Sequence, residues 1–313
     1  MRAARAIRDR PEVARRTCTS GSGVHQGSGG RVAALVARWT VVAFYLVAFA
    51  VTWAAWIPRT AHAWGLAPFT GAWFDSPLLY IIGGLGPGVA AYAVTRWMYG
   101  ADGDRYLWAG VLQWRVGMRW YAVGSLAYPV IWLAAAAFAG RLDPTLFAAG
   151  TWLGGIATFA MYLVLAVPEE VGWRGFAQLH LQTRHGALVS GLVVGTLWAL
   201  WHLPLRLHPD EVAAGSSQLW WAVATVAAAV LYAWLFNSIG GSVLLVIVLH
   251  AMGNTMSVLA DRAAIVAYEA AITVTVAVAL VAIFGATNLT RRRRPMPPPG
   301  AAPCGSPEQE VRE

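Results

Sequence analysis

Eight stretches of the chain are apolar almost without interruption, at about residues 39–57, 77–98, 120–139, 146–181, 187–207, 219–237, 242–259 and 264–284. Each approaches or exceeds the ~20 residues that a helix needs to cross a ~30 Å hydrocarbon layer. The pattern predicts an all-α fold, a polytopic membrane bundle of about eight transmembrane helices over residues 33–285. Eight such segments use up a chain of 313 residues, which excludes a large soluble catalytic domain. No repeat of 20 to 50 residues is visible.

Polar residues gather at the two ends. Residues 1–32 are rich in Arg, Gly, Ser and Ala and are expected to form a disordered basic cytoplasmic arm. Residues 286–313, with Arg291 to Arg294 followed by Pro295, Pro297, Pro298 and Pro299, are expected to form a disordered Arg/Pro-rich cytoplasmic tail. A cleavable signal peptide is disfavoured, because the first apolar run is long enough to remain as a span. With the N-terminus inside, Arg96, Arg105, Arg115, Arg119, Arg184 and both tails fall on the cytoplasmic side, leaving Arg59, Arg141, Arg206 and Arg262 outside. The positive-inside rule therefore places both termini in the cytoplasm, and the cavity is expected to open on that side.

Composition sharpens the picture. The chain is 58% hydrophobic and only 12% charged, with a mean hydropathy of +0.54. The net charge of +8 comes from 23 basic residues, all arginine, whose placement speaks of membrane orientation and not of nucleic acid. Several of the 17 tryptophans, such as Trp56, Trp64, Trp73 and Trp120, lie where interfacial anchors are expected. Cys18 and Cys304 sit in opposite tails, so neither a disulfide framework nor a cysteine metal site is expected. The all-arginine, Ala-rich usage suggests a GC-rich bacterial genome and hence a bacterial plasma membrane.

A carboxylate in the hydrocarbon layer costs at least ~2.5 kcal/mol, so ionisable groups inside the apolar segments are the informative ones. Pro168-Glu169-Glu170-Val171-Gly172-Trp173-Arg174 lies within an otherwise apolar helix. Glu170 and Arg174 are four residues apart, which places them on one face and predicts a salt bridge. Glu169 is rotated about 100° away and is left without that partner. Pro168 removes one backbone hydrogen bond, a break tolerated where helices line a polar cavity.

Two further helices carry histidines. Trp198 is stacked over His202 and His250 over Asn254, each pair one turn apart. If the chain reverses at Arg184 to Gly186, Glu169 and His202 rise to the same depth, and His250 is able to join them. His180, His185, His208, Asp210, Glu211 and Glu269 fall at helix ends or in loops, where solvated polar residues need no special role.

Glutamates, histidines and an asparagine gathered inside a bundle are suited to activating water for attack on a carbonyl. Glu169 would be the general base, His202 would hold the water, and His250 and Asn254 would donate to the oxyanion. A rival arrangement makes Glu169, His202 and His250 the ligands of a divalent metal such as zinc. Spacing does not separate the two.

E-E-x-x-x-R at Glu169 to Arg174, aromatic-x-x-x-His at Trp198 to His202 and His-x-x-x-Asn at His250 to Asn254 resemble the ordered motifs of the CPBP family, the type II CAAX prenyl protease and Abi-like membrane proteins. The resemblance covers roughly residues 150–260, with Trp198 standing where phenylalanine is frequent. It implies an intramembrane endopeptidase, of a family many of whose members are called metalloproteases, with Glu169 as base, His202 on the water, His250 and Asn254 as oxyanion site, and Glu170, Arg174 and Trp198 in support. The implied partners are the lipid bilayer and a membrane-associated or lipidated peptide or protein. The alternatives are a non-catalytic immunity or scaffold protein that binds a peptide in the same cavity, and a proton-coupled transporter.

Overall fold

The computed structural model describes residues 26–66, 68–142, 148–213, 215–259 and 262–297, and among them every regular element is helical. The helices are α1 (Gln26–Ala63), α2 (Pro77–Gly84), α3 (Gly86–Tyr99), α4 (Ala101–Val111), α5 (Met118–Phe138) and α6 (Ala149–Gly172). A π-helical turn, Trp173–Gln178, carries α6 into α7 (Leu179–Leu181). There follow α8 (Ala187–Trp201), the short α9 (Leu203–Arg206) and α10 (Pro209–Ala213), then α11 (Gln218–Ser238), α12 (Val243–Leu259) and α13 (Arg262–Phe284).

Among the described residues, six stretches are long and apolar enough to cross a membrane: Trp39–Ala63, Pro77–Tyr99, Met118–Phe138, Leu153–Leu181, Gln218–Ser238 and Arg262–Phe284. The other two expected segments form shorter apolar helices, α8 and α12, of 15 and 17 residues. Side chains such as Leu46, Val130, Ile156 and Val278 are exposed around the bundle, where lipid replaces water as their surroundings. The chain is an integral membrane protein.

Local chemistry sets the boundaries. Ser76 accepts from the amide of Leu78 to cap α2, with Pro77 at its first position, and Ser217 caps α11 in the same way. The second expected span is interrupted at Leu85, ahead of Pro87. The fifth ends at Trp201 and not near residue 207, because Pro204 cannot continue the hydrogen-bond ladder and the chain re-forms as α9. Gly240 and Gly241, at φ 72° and 90°, make the tight turn between α11 and α12.

Two expectations need correction. Residues 101–111 form a helix although their pattern is too polar to read as a span, with Arg96 paired to Asp104 at 2.7 Å across its start. Of the tail expected to be disordered from residue 286, the described part, 285–297, is docked on the bundle. Its Leu289 is fully buried, and the carbonyls of Thr287 and Ala286 accept from the first amides of α8, Ala187 and Leu188, at 2.8 and 3.0 Å. Asn237 donates to Gln182 Oε1 at 2.7 Å and to the Asn288 carbonyl at 2.9 Å, while Tyr106 and Arg294 clamp the segment further along. Backbone carbonyls that satisfy helix N-terminal amides and buried amides hold the segment in place. The expected arm is helical from Gln26; its residues 1–25, like 298–313 of the tail, lie outside the described residues.

The helices that carry the site are fixed by close contacts. A methyl at Gly172 would lie 2.5 Å from Pro87 Cβ, and one at Gly88 would lie 2.7 Å from Pro168 Cβ. The start of α3 and the glutamate-bearing part of α6 thus grip each other through a reciprocal pair of glycine and proline. At the end of α8, Trp53 donates to the Trp201 carbonyl at 3.1 Å and Thr60 to the Pro204 carbonyl at 2.8 Å. The Trp201 indole in turn donates to Thr52 at 2.7 Å, so α1 holds the segment on which His202 sits.

Candidate active site

Glu170 is fully buried, and its Oε1 accepts from Arg174 Nη1 at 2.9 Å and from His250 Nδ1 at 2.8 Å. The bridge to Arg174 is the one that the four-residue spacing predicts. The bond to His250 joins α6 to α12 across 80 residues and is not visible in any local pattern. The Arg174 guanidinium lies 4.9 Å from the Trp198 ring and 4.5 Å from the Tyr232 ring, so two aromatic faces supply the rest of its surroundings. Glu170 Oε2 and Arg174 Nε and Nη2 are buried without a hydrogen-bond partner among the described residues.

Glu169 is only half-buried. Its Oε2 accepts from the Trp198 indole N–H at 2.9 Å, and its other oxygen has no hydrogen bond among the described residues. Trp198 is the hub of the site. Its ring centroid is 5.9 Å from that of His202, 5.2 Å from His250 and 5.7 Å from Tyr232.

His202 caps α8, and its Nδ1 faces the Trp198 carbonyl at 3.0 Å. A carbonyl only accepts, so Nδ1 carries the proton and Nε2 is left with a lone pair. The imidazole is walled by the rings of Trp201, Trp221 and Trp56, at 4.6, 5.5 and 6.1 Å. His250 is oriented by the same logic: Nδ1–H donates to Glu170, and Nε2 is available.

Asn254 is half-buried one turn beyond His250, and its side-chain amide makes no hydrogen bond among the described residues. Glu169, Glu170, Arg174, Trp198, His202 and His250 are therefore linked through Trp198 and Glu170, and Asn254 adjoins them through its helix alone. No group of three His, Cys, Asp or Glu side chains is arranged to hold a metal ion among the described residues. Glu169 Oε1, His202 Nε2 and His250 Nε2 are not engaged in hydrogen bonds among the described residues, but the expected trio is not gathered into a ligand group as the side chains stand.

The remaining candidates are structural. His180 Nδ1 donates to the Phe176 carbonyl at 2.8 Å and its Nε2 accepts from Tyr99 at 3.2 Å. His208 lies beside Asp210 at 3.5 Å, Glu211 pairs with Arg206, and Glu269 takes both Nε and Nη2 of Arg262 at 3.2 Å. His185 is exposed, with its carbonyl accepting from Arg294. Tyr232 and Trp221 escaped the sequence reading, since an aromatic residue on an apolar helix carries no signal of its own.

Comparison with known proteins falls on the same stretch. Residues 151–256 match the family described as Type II CAAX prenyl endopeptidase Rce1-like. The matched residues contain the glutamate pair, both histidines and Asn254 in order, so the similarity to that family falls on the stretch that carries the site. The chain is similar to CAAX prenyl protease 2 of Methanococcus maripaludis, at 26% identity over 100 residues, 30% of this chain and 37% of that protein. The chain thus spans little more than a third of that relative's length.

Proposed function

We propose that the protein is an intramembrane endopeptidase that hydrolyses a peptide bond in a membrane-associated or lipidated peptide or protein. The observation that carries this reading is the Glu169 carboxylate, held through Oε2 by Trp198 with no hydrogen bond to its other oxygen among the described residues, beside a histidine whose Nε2 has a lone pair. The Rce1-like match over residues 151–256 supports it.

In this mechanism Glu169 takes a proton from water while His202 Nε2 accepts the water's other hydrogen bond. The hydroxide oxygen bonds to the carbonyl carbon, and the carbonyl electron pair moves onto oxygen. The Asn254 amide donates to that oxyanion together with His250 Nε2, which requires His250 to be protonated on both nitrogens, with Nδ1 held by Glu170. Glu169 returns its proton to the leaving nitrogen as the C–N bond breaks, giving a carboxylic acid and an amine, which exchange a proton on release to become carboxylate and ammonium. No step runs through a metal.

The test is Glu169→Gln, which keeps shape and removes the proton acceptor. General-base catalysis is commonly worth ~100- to 10,000-fold, so cleavage measured by mass spectrometry of membrane peptides should collapse while peptide binding persists. A variant that restores the wild-type peptide profile would instead support the immunity or scaffold reading.

A further inference from the structure

The side of the membrane served by the site follows from two independent features, burial and charge. From Glu169 toward the end of the bundle formed by residues 182–186, 239–242 and 285–297, the interior is closely packed, apart from a small pocket bounded by Gly175, Leu179, Phe236 and Pro295. Glu170, Arg174, Gln178 and Gln182 recur every four residues along α6 and its continuation, and each is fully buried. Trp173, Phe176, Leu235, Asn237 and Leu245 fill the space around them with at most 1% exposure.

In the opposite direction the packing opens. Glu169, His202 and Asn254 are all half-buried, as is Tyr162 two turns before Glu169, and Met161 and Leu207 are exposed. The opening follows from helix length. At 1.5 Å per residue, α8 reaches His202 only ~22 Å from its start at the closely packed end, short of the ~30 Å layer. Glu169 stands ~18 Å from the end of α7 by the same measure, past the middle of the layer. Glu169 and His202 therefore lie nearer the end made by α9, α10 and the start of α11.

Charge distinguishes the two ends. The closely packed end carries Arg96, Arg105, Arg115, Arg119, Arg184 and Arg291 to Arg294, whereas the open end carries Arg59, Arg141, Arg206 and Arg262. An excess of arginine in short flanking segments marks the cytoplasmic side. We propose that the closely packed end faces the cytoplasm and the site opens on the non-cytoplasmic face, the reverse of the opening expected from sequence. The substrates would then be peptide segments presented from that face, stretches of translocated chain beside a membrane anchor. The direction of opening rests on packing and charge, and only the word substrate rests on the protease reading.

Thiol accessibility tests the direction without requiring catalysis. The full chain carries Cys18, ahead of α1 in sequence, and Cys304, after the docked 285–297 segment, and both serve as native thiols for the test. A membrane-impermeant sulfonated maleimide is applied to intact cells and to permeabilised ones, for the wild type and for Leu207→Cys, Asn254→Cys and Ser257→Cys on a cysteine-free background. The proposal expects Leu207→Cys and at least one of the α12 cysteines to label in intact cells. Cys18 and Cys304 should label at least tenfold less until the membrane is opened. Labelling of Cys18 and Cys304 in intact cells would overturn the orientation. Labelling of the α12 cysteines only after permeabilisation, with Leu207→Cys already labelled, would overturn the opening. Both outcomes are independent of whether Glu169→Gln abolishes cleavage.

Discussion

The indole N–H of Trp198 donates to Glu169 Oε2 at 2.9 Å, a bond that a phenylalanine at this position has no atom to make. Trp198→Phe retains an aromatic ring against Arg174 and His250 and frees the carboxylate to rotate. A hydrogen bond to a charged group is worth roughly 1.5–3 kcal/mol, so kcat/KM should fall about tenfold or more with little change in folded yield. Cleavage at wild-type rate would show that Glu169 is held by something other than the indole.

Arg174 holds the ionic centre together. Arg174→Ala leaves Glu170 buried with His250 alone and empties the space between Trp198 and Tyr232. Breaking a buried pair in this way costs about 3–5 kcal/mol. Thermal unfolding of purified protein in detergent should show a large drop in Tm, and membrane abundance should fall with it. An unchanged Tm would mean that water reaches Glu170.

The helix contact at Gly172 is open to a matched comparison. Gly172→Ala drives a methyl against Pro87 and should cost about 1–3 kcal/mol, while Gly154→Ala on the same helix meets nothing within 4 Å and should leave Tm unchanged or slightly raised. Equal behaviour of the two variants would show that α3 and α6 part without penalty.

Asn237 ties the 285–297 segment to the bundle. Asn237→Ala leaves Gln182 Oε1 and the Asn288 carbonyl without their donor, at a cost of about 1–3 kcal/mol. Limited proteolysis should then cut within 285–297 much faster than in the wild type. Unchanged protection would assign the docking to the amides of Ala187 and Leu188 instead.

Cleavage is expected to survive removal of divalent metal. No group of three His, Cys, Asp or Glu side chains is arranged to hold an ion among the described residues. Elemental analysis of purified protein should give well under one equivalent of zinc, and rates before and after a chelator should agree. Activity lost to chelation and restored by zinc would show that Glu169, His202 and His250 swing together around an ion.

Apolar runs and four-residue spacings are legible because a bilayer and a helix impose them directly. All eight apolar segments are helices, and the Glu170–Arg174 bridge follows from the sequence alone. The bond from His250 to Glu170 and that from Trp198 to Glu169 depend on how three helices cross, which no local period encodes. Spacing places His250 and Asn254 one turn apart, and what it does not encode is that His250 Nδ1 bonds Glu170 across 80 residues. The 285–297 segment looked unstructured because its side chains are arginine and proline, while the groups that dock it include backbone carbonyls common to every residue.

The reciprocal contact of Gly88 with Pro168 and of Gly172 with Pro87 has a bearing on inheritance. Each helix presents a gap and a wedge to the other, so a change on one side is harmless only when its counterpart changes as well. Residues 87, 88, 168 and 172 should therefore drift together among descendants of this chain. A transplant of the Glu169 to Arg174 motif into another scaffold would need Pro87 and Gly88 carried with it.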